Sequence, residues 1–197
     1  MRLAAVALFA LTFGILGGVW SAWALLDREI AVSHYVDGPW VATPGAYRAD
    51  ANPYARARRA QRPLFGFDGA ETISFVARTD SEGLPLTPAC HYRMSGSRLP
   101  ARRWTLAVLP TAAGRGTAPD LPEGAPPIRA AFTSSELLRA EDQSYQIALS
   151  RRPSPGNWLP TRQPYALALN LYDTTLLSGI TQERASLPSL ERIDCSR

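Results

Sequence analysis

The residues in this sequence best suited to acid–base, nucleophilic or metal chemistry are His34 and His91, Cys90 and Cys195, and the acids Asp68, Glu71, Asp80 and Glu82. A zinc site needs three or four ligands at workable spacing, and no HxxxH, HxH or CxxC pair occurs. Neither a metal nor a cofactor is expected. Nucleophile motifs of the GxSxG, SxxK and HExxH kinds do not occur either. All 21 residues counted as Lys or Arg are arginine, which excludes a lysine base or Schiff-base nucleophile. His91 follows Cys90 directly, but neighbouring strand residues point to opposite faces, so a thiol-imidazole pair is badly placed. The four acids lie near turns and read as solvated turn residues, because spacing alone brings no two of them to one cleft. No catalytic residue is identified, and whether the chain is an enzyme stays open.

Asn157 and Trp158 are the candidate ligand-binding residues. They sit in Pro155-Gly156-Asn157-Trp158-Leu159-Pro160, which has a plain packing reading: a Pro-Gly turn, an Asn bonded to nearby backbone, a Trp as apolar anchor and a Pro that ends the excursion. The functional reading places both in a pocket, with Trp158 stacking on a sugar or peptidoglycan fragment and Asn157 bonding to it. Packing is favoured, since tryptophan is usually well buried. In an oxidising compartment Cys90 and Cys195 have a use as one disulfide, closing a loop of roughly a hundred residues for about 4 to 5 kcal/mol in the loop-entropy view. Two separate thiols and an intermolecular bridge are the alternatives.

The compartment follows from the N-terminal segment. From Leu3 to Leu26 there is no charged residue, and the only hydroxyls are Thr12 and Ser21. At about 1.5 Å per residue, a helix of that length crosses a hydrocarbon core of about 30 Å. Gly14, Gly17 and Gly18 suit a lipid-embedded helix better than a soluble one, and Trp20 and Trp23 fall where rings favour the interface. Arg2 precedes the span and Asp27-Arg28-Glu29 follows it, which leaves the N-terminus cytoplasmic and the rest outside. Ala22-Trp23-Ala24 also fits a signal-peptidase site, with cleavage after Ala24, so a removed signal competes with a retained anchor. The anchor is preferred because the run exceeds the usual signal core. Either way the remainder is exported.

Residues 1–29 are thus the anchor, 30–70 an extended segment with a short helix, and 71–197 the main domain. Val36 and Trp40 to Ala42 are a first short strand, and Asn52-Pro53 caps a helix from Tyr54 to Arg62 that Pro63 stops. Strands are expected at Glu71–Arg78, Cys90–Met94, Trp104–Leu109, Tyr145–Leu149 and Tyr165–Tyr172, where β-branched and aromatic residues alternate. Residues 110–127 are an Ala/Gly/Pro-rich insertion, and Thr133–Leu138 a single capped turn. Turn-rich links and few helices point to an antiparallel β-sandwich. The net charge of +4 is modest, and only Arg56, Arg58, Arg59 and Arg62 cluster. Phosphate tracking wants a concentrated basic face with interleaved aromatics, so no nucleic-acid partner is expected. That cluster reads as a solvated face, with anionic lipid headgroups as its alternative contact.

The run Ala77-Arg78-Thr79-Asp80-Ser81-Glu82-Gly83-Leu84-Pro85-Leu86, then Tyr92, Trp104-Thr105-Leu106 and above all the NWLP element at 157–160, resembles the bacterial family DUF1214. Asn52-Pro53-Tyr54-Ala55-Arg56-Ala57 is similar to the lead-in of its short, singly anchored members that lack the accompanying DUF1254 domain. The resemblance implies a mainly β fold, a jelly-roll β-sandwich with a few short helices behind one transmembrane helix, and no established reaction. The expected protein crosses the bacterial inner membrane once, with its domain in the periplasm. It acts there as a binding or assembly module, and its partners are the membrane, an envelope protein or a cell-wall ligand. The alternative is an envelope enzyme acting on cell-wall glycan or a small carbonyl or ester substrate, with Trp158 shaping the pocket.

Overall fold

A computed structural model describes residues 2–27, 35–42, 72–110, 129–161, 164–174 and 186–195. The helix expected at 54–62, its arginine cluster, the insertion at 111–127, and His34, Asp68 and Glu71 lie outside the described residues.

The apolar N-terminal run forms α1 (Arg2–Asp27), and its Ala4–Ala24 stretch is long and apolar enough to cross a membrane. Its apolar side chains from Val6 to Trp23 are not packed on protein: Phe9, Phe13 and Trp20 are each at least 70% exposed. The two hydroxyls are satisfied within the helix, Thr12 Oγ1 donating to Leu8 O and Phe9 O and Ser21 Oγ to Gly18 O. A helix in hydrocarbon must be self-satisfied in this way.

Among the described residues ten strands follow: β1 (Tyr35–Asp37), β2 (Trp40–Ala42), β3 (Thr72–Ala77), β4 (Cys90–Gly96), β5 (Ala101–Pro110), β6 (Ala131–Thr133), β7 (Tyr145–Ser150), β8 (Trp158–Pro160), β9 (Tyr165–Thr174) and β10 (Ser189–Cys195). They make a six-stranded sheet, β1-β2-β3-β9-β5-β6, and a four-stranded sheet, β10-β4-β7-β8. Period-two alternation explains how each sheet turns one face inward. Tyr165, Leu167, Leu169 and Leu171 on β9 are all buried. One row of the larger sheet runs Ala42, Phe75, Leu169, Leu106, Phe132, each the register partner of the next and each buried. The facing sheet supplies Leu190, Met94 and Ile147 in a row, all fully buried. Both sets belong to one core, and Trp104 of β5 meets Tyr145 of β7 across it with ring centroids 5.2 Å apart.

The mainly β, two-sheet architecture agrees with expectation, with differences of detail. Strands β7 and β8 pair in parallel, so the smaller sheet is mixed rather than purely antiparallel. The Asn157-to-Pro160 stretch is therefore not only a turn, because its last three residues form an edge strand. Among the described residues α1 is the only helix; Thr133–Leu138 holds a turn in which Thr133 N donates to Glu136 Oε2 at 3.0 Å, half of a capping box. β1 and β2, which precede residue 71, are integral to the larger sheet and turn through Gly38, whose φ of 54° suits glycine. Trp40, fully buried, donates its indole N–H to Pro188 O at 2.7 Å and ties the sheets together near the start of β10.

Candidate functional site

The sequence candidates divide into two places. At one edge of the smaller sheet, Asn157 is 8% exposed and its amide is committed to backbone. Its Oδ1 accepts from Leu138 N at 2.9 Å, while Nδ2 donates to Leu138 O at 2.8 Å and Gln146 O at 2.9 Å. The residue pairs with Leu138 much as a strand neighbour would and clips the 134–140 segment to the sheet. Trp158 is half-buried, and its Nε1 donates to Ser150 O at 3.2 Å and Ser150 Oγ at 3.1 Å. The two side chains do not converge on shared polar partners. Ser150 is itself held, donating from Oγ to Arg152 O at 2.7 Å.

The other place is the end of the sandwich where β3 and β10 finish and β4 and β9 begin. Cys90 and Cys195 are register partners on β4 and β10 and form a disulfide across 105 positions. Beside it, His91 Nδ1 lies 3.0 Å from Asp194 Oδ1 on the outer face. Cys90 is buried while His91 is not, so the two point apart as strand geometry requires. Between Arg192 and Asp194 the register slips, and Ile193 at the slip is half exposed.

Asp80 departs from the expectation of a solvated turn acid, being only 1% exposed. Its Oδ1 accepts from Glu82 N at 3.1 Å and Leu84 N at 2.9 Å, which is the turn chemistry its sequence suggests. Gly83 completes that turn at φ 84°. Asp80 Oδ2 lies 2.8 Å from Arg192 Nη2, close enough for an ion pair but without hydrogen-bond alignment. Ion pairing explains the burial, since a carboxylate leaves water only against compensating charge. Arg192 Nη2 also donates to Pro85 O at 3.2 Å, and its guanidinium lies 5.5 Å from the Tyr92 ring centroid. Ser81 N donates to Leu190 O and Leu190 N to Ser81 Oγ, so the whole β3–β4 loop is strapped to β10. Glu82, by contrast, is exposed as expected.

Titration follows burial and local bonding. Burial raises the Tyr145 and Tyr165 phenols above their ordinary range. The exposed carboxyls of Glu136 and Asp142 are lowered, chiefly by bonds from Thr133 N–H and from the Ser144 side chain respectively. Among the described residues no group of three His, Cys, Asp or Glu side chains stands ready to hold a metal ion. The sequence does not mark Arg192 as part of this arrangement. The only local signal was Asp80 in a turn with an apolar flank, and nothing adjacent names its arginine.

These features define a class: a two-sheet β domain, closed by a disulfide between its last strand and a central one, on a chain that opens with a helix apolar enough to span a membrane. A model of the family described as "Protein of unknown function (DUF1214)" matches residues 71–176, and the chain belongs to that family. Among solved structures it is similar to the VPA0106 protein from Vibrio parahaemolyticus, at 19% identity and a TM-score of 0.53 over 74% of this chain. It also matches an uncharacterized protein from Burkholderia cenocepacia, at 19% identity and a TM-score of 0.43 over 89% of this chain. The chain spans 36% and 41% of the lengths of those two proteins. No curated protein matches it.

Proposed function

We propose that this protein is a membrane-tethered binding or assembly module of the bacterial envelope, anchored once in the inner membrane with its β domain in the periplasm. The observation that carries the reading is the joint presence of an apolar helix with every described apolar side chain from Val6 to Trp23 left unpacked and a domain closed by a disulfide. The helix wants lipid, and the disulfide wants an oxidising compartment. A jelly-roll winding is part of the reading. It is supported by the way the chain alternates between the sheets, passing from β3 to β4, β4 to β5, β6 to β7 and β8 to β9. On the NWLP element the face open to a ligand is the half-buried Trp158 ring, since the Asn157 amide is occupied by backbone.

The test is fractionation of cells expressing the full chain with a C-terminal epitope. The chain is expected in membranes after an alkaline wash, with an intact mass that includes residues 1–24. The epitope is expected to be lost to protease added to spheroplasts. A full-length chain in the soluble fraction, or an epitope protected until the inner membrane is lysed, would overturn the reading. A mass beginning at Leu25 would convert the anchor into a cleaved signal and leave the periplasmic placement standing.

A further inference from the structure

We propose that the exposed sulfur of Cys195 is a thiol-exchange site, attacked by the thiolate of a dithiol protein, and that reduction frees residues 192–195 from β4 and loosens the β3–β4 loop. The inference goes beyond the envelope placement and rests on it only for the compartment in which such a partner is met. Among the described residues β10 is an edge strand paired only with β4, and the disulfide joins its last residue to the first residue of β4.

The two halves of β10 are held differently. Leu190 is fully buried and bonds to Ser81 through both its N–H and its carbonyl, which fixes the first half. Glu191, Ile193, Asp194 and Cys195 are exposed, Arg192 is half-buried, and the register with β4 slips between Arg192 and Asp194. None of these side chains belongs to the apolar core. A segment without buried apolar contacts sits at the low end of local stability. Apart from its ladder with β4, the second half has three ties: the disulfide, the His91–Asp194 contact at 3.0 Å and the Arg192–Asp80 contact at 2.8 Å. The His91–Asp194 pair is open to water, where such a contact contributes little, so the covalent tie dominates.

The two sulfurs are unequal. Cys195 is exposed and Cys90 is buried, so an incoming thiolate reaches Cys195 Sγ. Thr87 Oγ1 donates to Cys90 Sγ at 3.3 Å, and the same hydroxyl stabilises the thiolate that Cys90 becomes on leaving. Access to the attacked sulfur and a stabilised leaving thiolate both speed exchange. In the step the partner's sulfur bonds to Cys195 Sγ, the Sγ–Sγ bond breaks, and its electron pair departs on Cys90 Sγ. The chain has only two cysteines, so the mixed disulfide is resolved either by Cys90, which reverses the step, or by a second thiol of the partner. The second route completes a two-electron reduction: the partner ends as a disulfide, and its two thiol protons end on Cys90 and Cys195. That need for a second thiol selects a dithiol protein over a monothiol.

Release has a consequence beyond the strand. Arg192 leaves Asp80 Oδ2 and Pro85 O, both on the β3–β4 loop. A buried carboxylate that loses its counter-charge is strongly destabilising, so Asp80 turns toward water and the loop loosens, with Ser81 still hinged to Leu190.

The experiment uses the full chain in detergent under native conditions, with reduced glutathione as monothiol probe and dithiothreitol as dithiol probe. After glutathione and an acid quench, mass mapping is expected to find glutathione on Cys195 and a free thiol at Cys90. After dithiothreitol, hydrogen exchange is expected to rise by about tenfold or more at residues 192–195 and 80–85, and to stay unchanged in β5 and β9. Thr87→Val removes the hydroxyl and is expected to slow glutathione attack by about tenfold, whereas Thr87→Ser keeps it and is expected to react as the unsubstituted protein does. The proposal is overturned if glutathione is found on Cys90, if reduction proceeds only at the rate of global unfolding, if protection at 192–195 is the same with and without the bridge, or if Thr87→Val reacts as fast as Thr87→Ser. None of these readouts depends on compartment, so their failure is distinguishable from failure of the envelope placement.

Discussion

Replacing Asn157 separates the two readings of the NWLP element. Asn157→Ala removes three side-chain bonds at a residue only 8% exposed, leaving Leu138 N, Leu138 O and Gln146 O without those partners. At about 1 kcal/mol net for each bond, the loss is about 3 kcal/mol. For a chain of this size that corresponds to a melting point lower by roughly 6 to 12 °C. Asn157→Asp is the sharper probe. The carboxylate can still accept from Leu138 N, but it faces two carbonyl oxygens at close range and can donate to neither. At neutral pH it is expected to be less stable than Asn157→Ala. Burial and those carbonyls raise the folded-state pKa of the introduced carboxyl above an unfolded value of about 3.9. Its contribution is therefore most favourable below the unfolded pKa and is lost as pH rises through the folded one. Relative to the unsubstituted protein, the variant should regain stability on acidification, measured by thermal unfolding followed by circular dichroism between pH 7 and pH 4. A melting point for Asn157→Ala within about 2 °C of the unsubstituted protein, or a deficit in Asn157→Asp that grows as pH falls, would refute the clip role.

Other perturbations bear on the rest of the domain. Cys195→Ser opens a loop closed across 105 positions, for which the loop-entropy view gives about 4.7 kcal/mol; urea unfolding should show a loss of about 2 to 5 kcal/mol. A loss below about 1 kcal/mol would mean that the β4–β10 pairing already holds the tail. Gly96→Ala would place a Cβ 2.7 Å from Tyr145 Oη and 2.8 Å from its Cζ, against a ring only 3% exposed. Overpacking there should cost about 1 to 3 kcal/mol in the same assay. The raised phenols of Tyr145 and Tyr165 contribute stability below an unfolded pKa of 10.0 that is lost as pH climbs above it. Absorbance at the phenolate band should show these two ionising only with the unfolding transition, and reversible ionisation of all tyrosines before unfolding would contradict their burial.

Local pattern carries part of this fold. Helix α1 needs only an unbroken apolar run, and β3, β5, β7 and β9 announce themselves by alternation, since a strand's two faces are written every second residue. An apolar N-terminal run of the kind that directs export makes a Cys90–Cys195 bridge chemically sensible, and the turn at Asp80 is visible in Asp-Ser-Glu-Gly. Among the short strands, β1 and β2 fall where one short strand was expected at Val36 and Trp40 to Ala42, while β6, β8 and β10 carried no such signal. β6 and β8 are three residues long, and β10 alternates weakly because its register slips beside Ile193.

The sequence by itself determined the helix, the strand-rich domain, the family and the plausibility of the disulfide, because each depends on local pattern or on residue type. Tertiary structure alone decided that β8 lies parallel to β7, that Asn157 clips Leu138, and that Asp80 is buried against Arg192 rather than solvated. It also decided that Thr161 and Tyr165 reach the same end of the core. The physical reason is shared: alternation states which face a strand buries, but not which strand lies beside it. Whether a polar side chain meets water, backbone or an opposite charge depends on that neighbour, which here stands more than a hundred positions away in the case of Arg192 and Asp80.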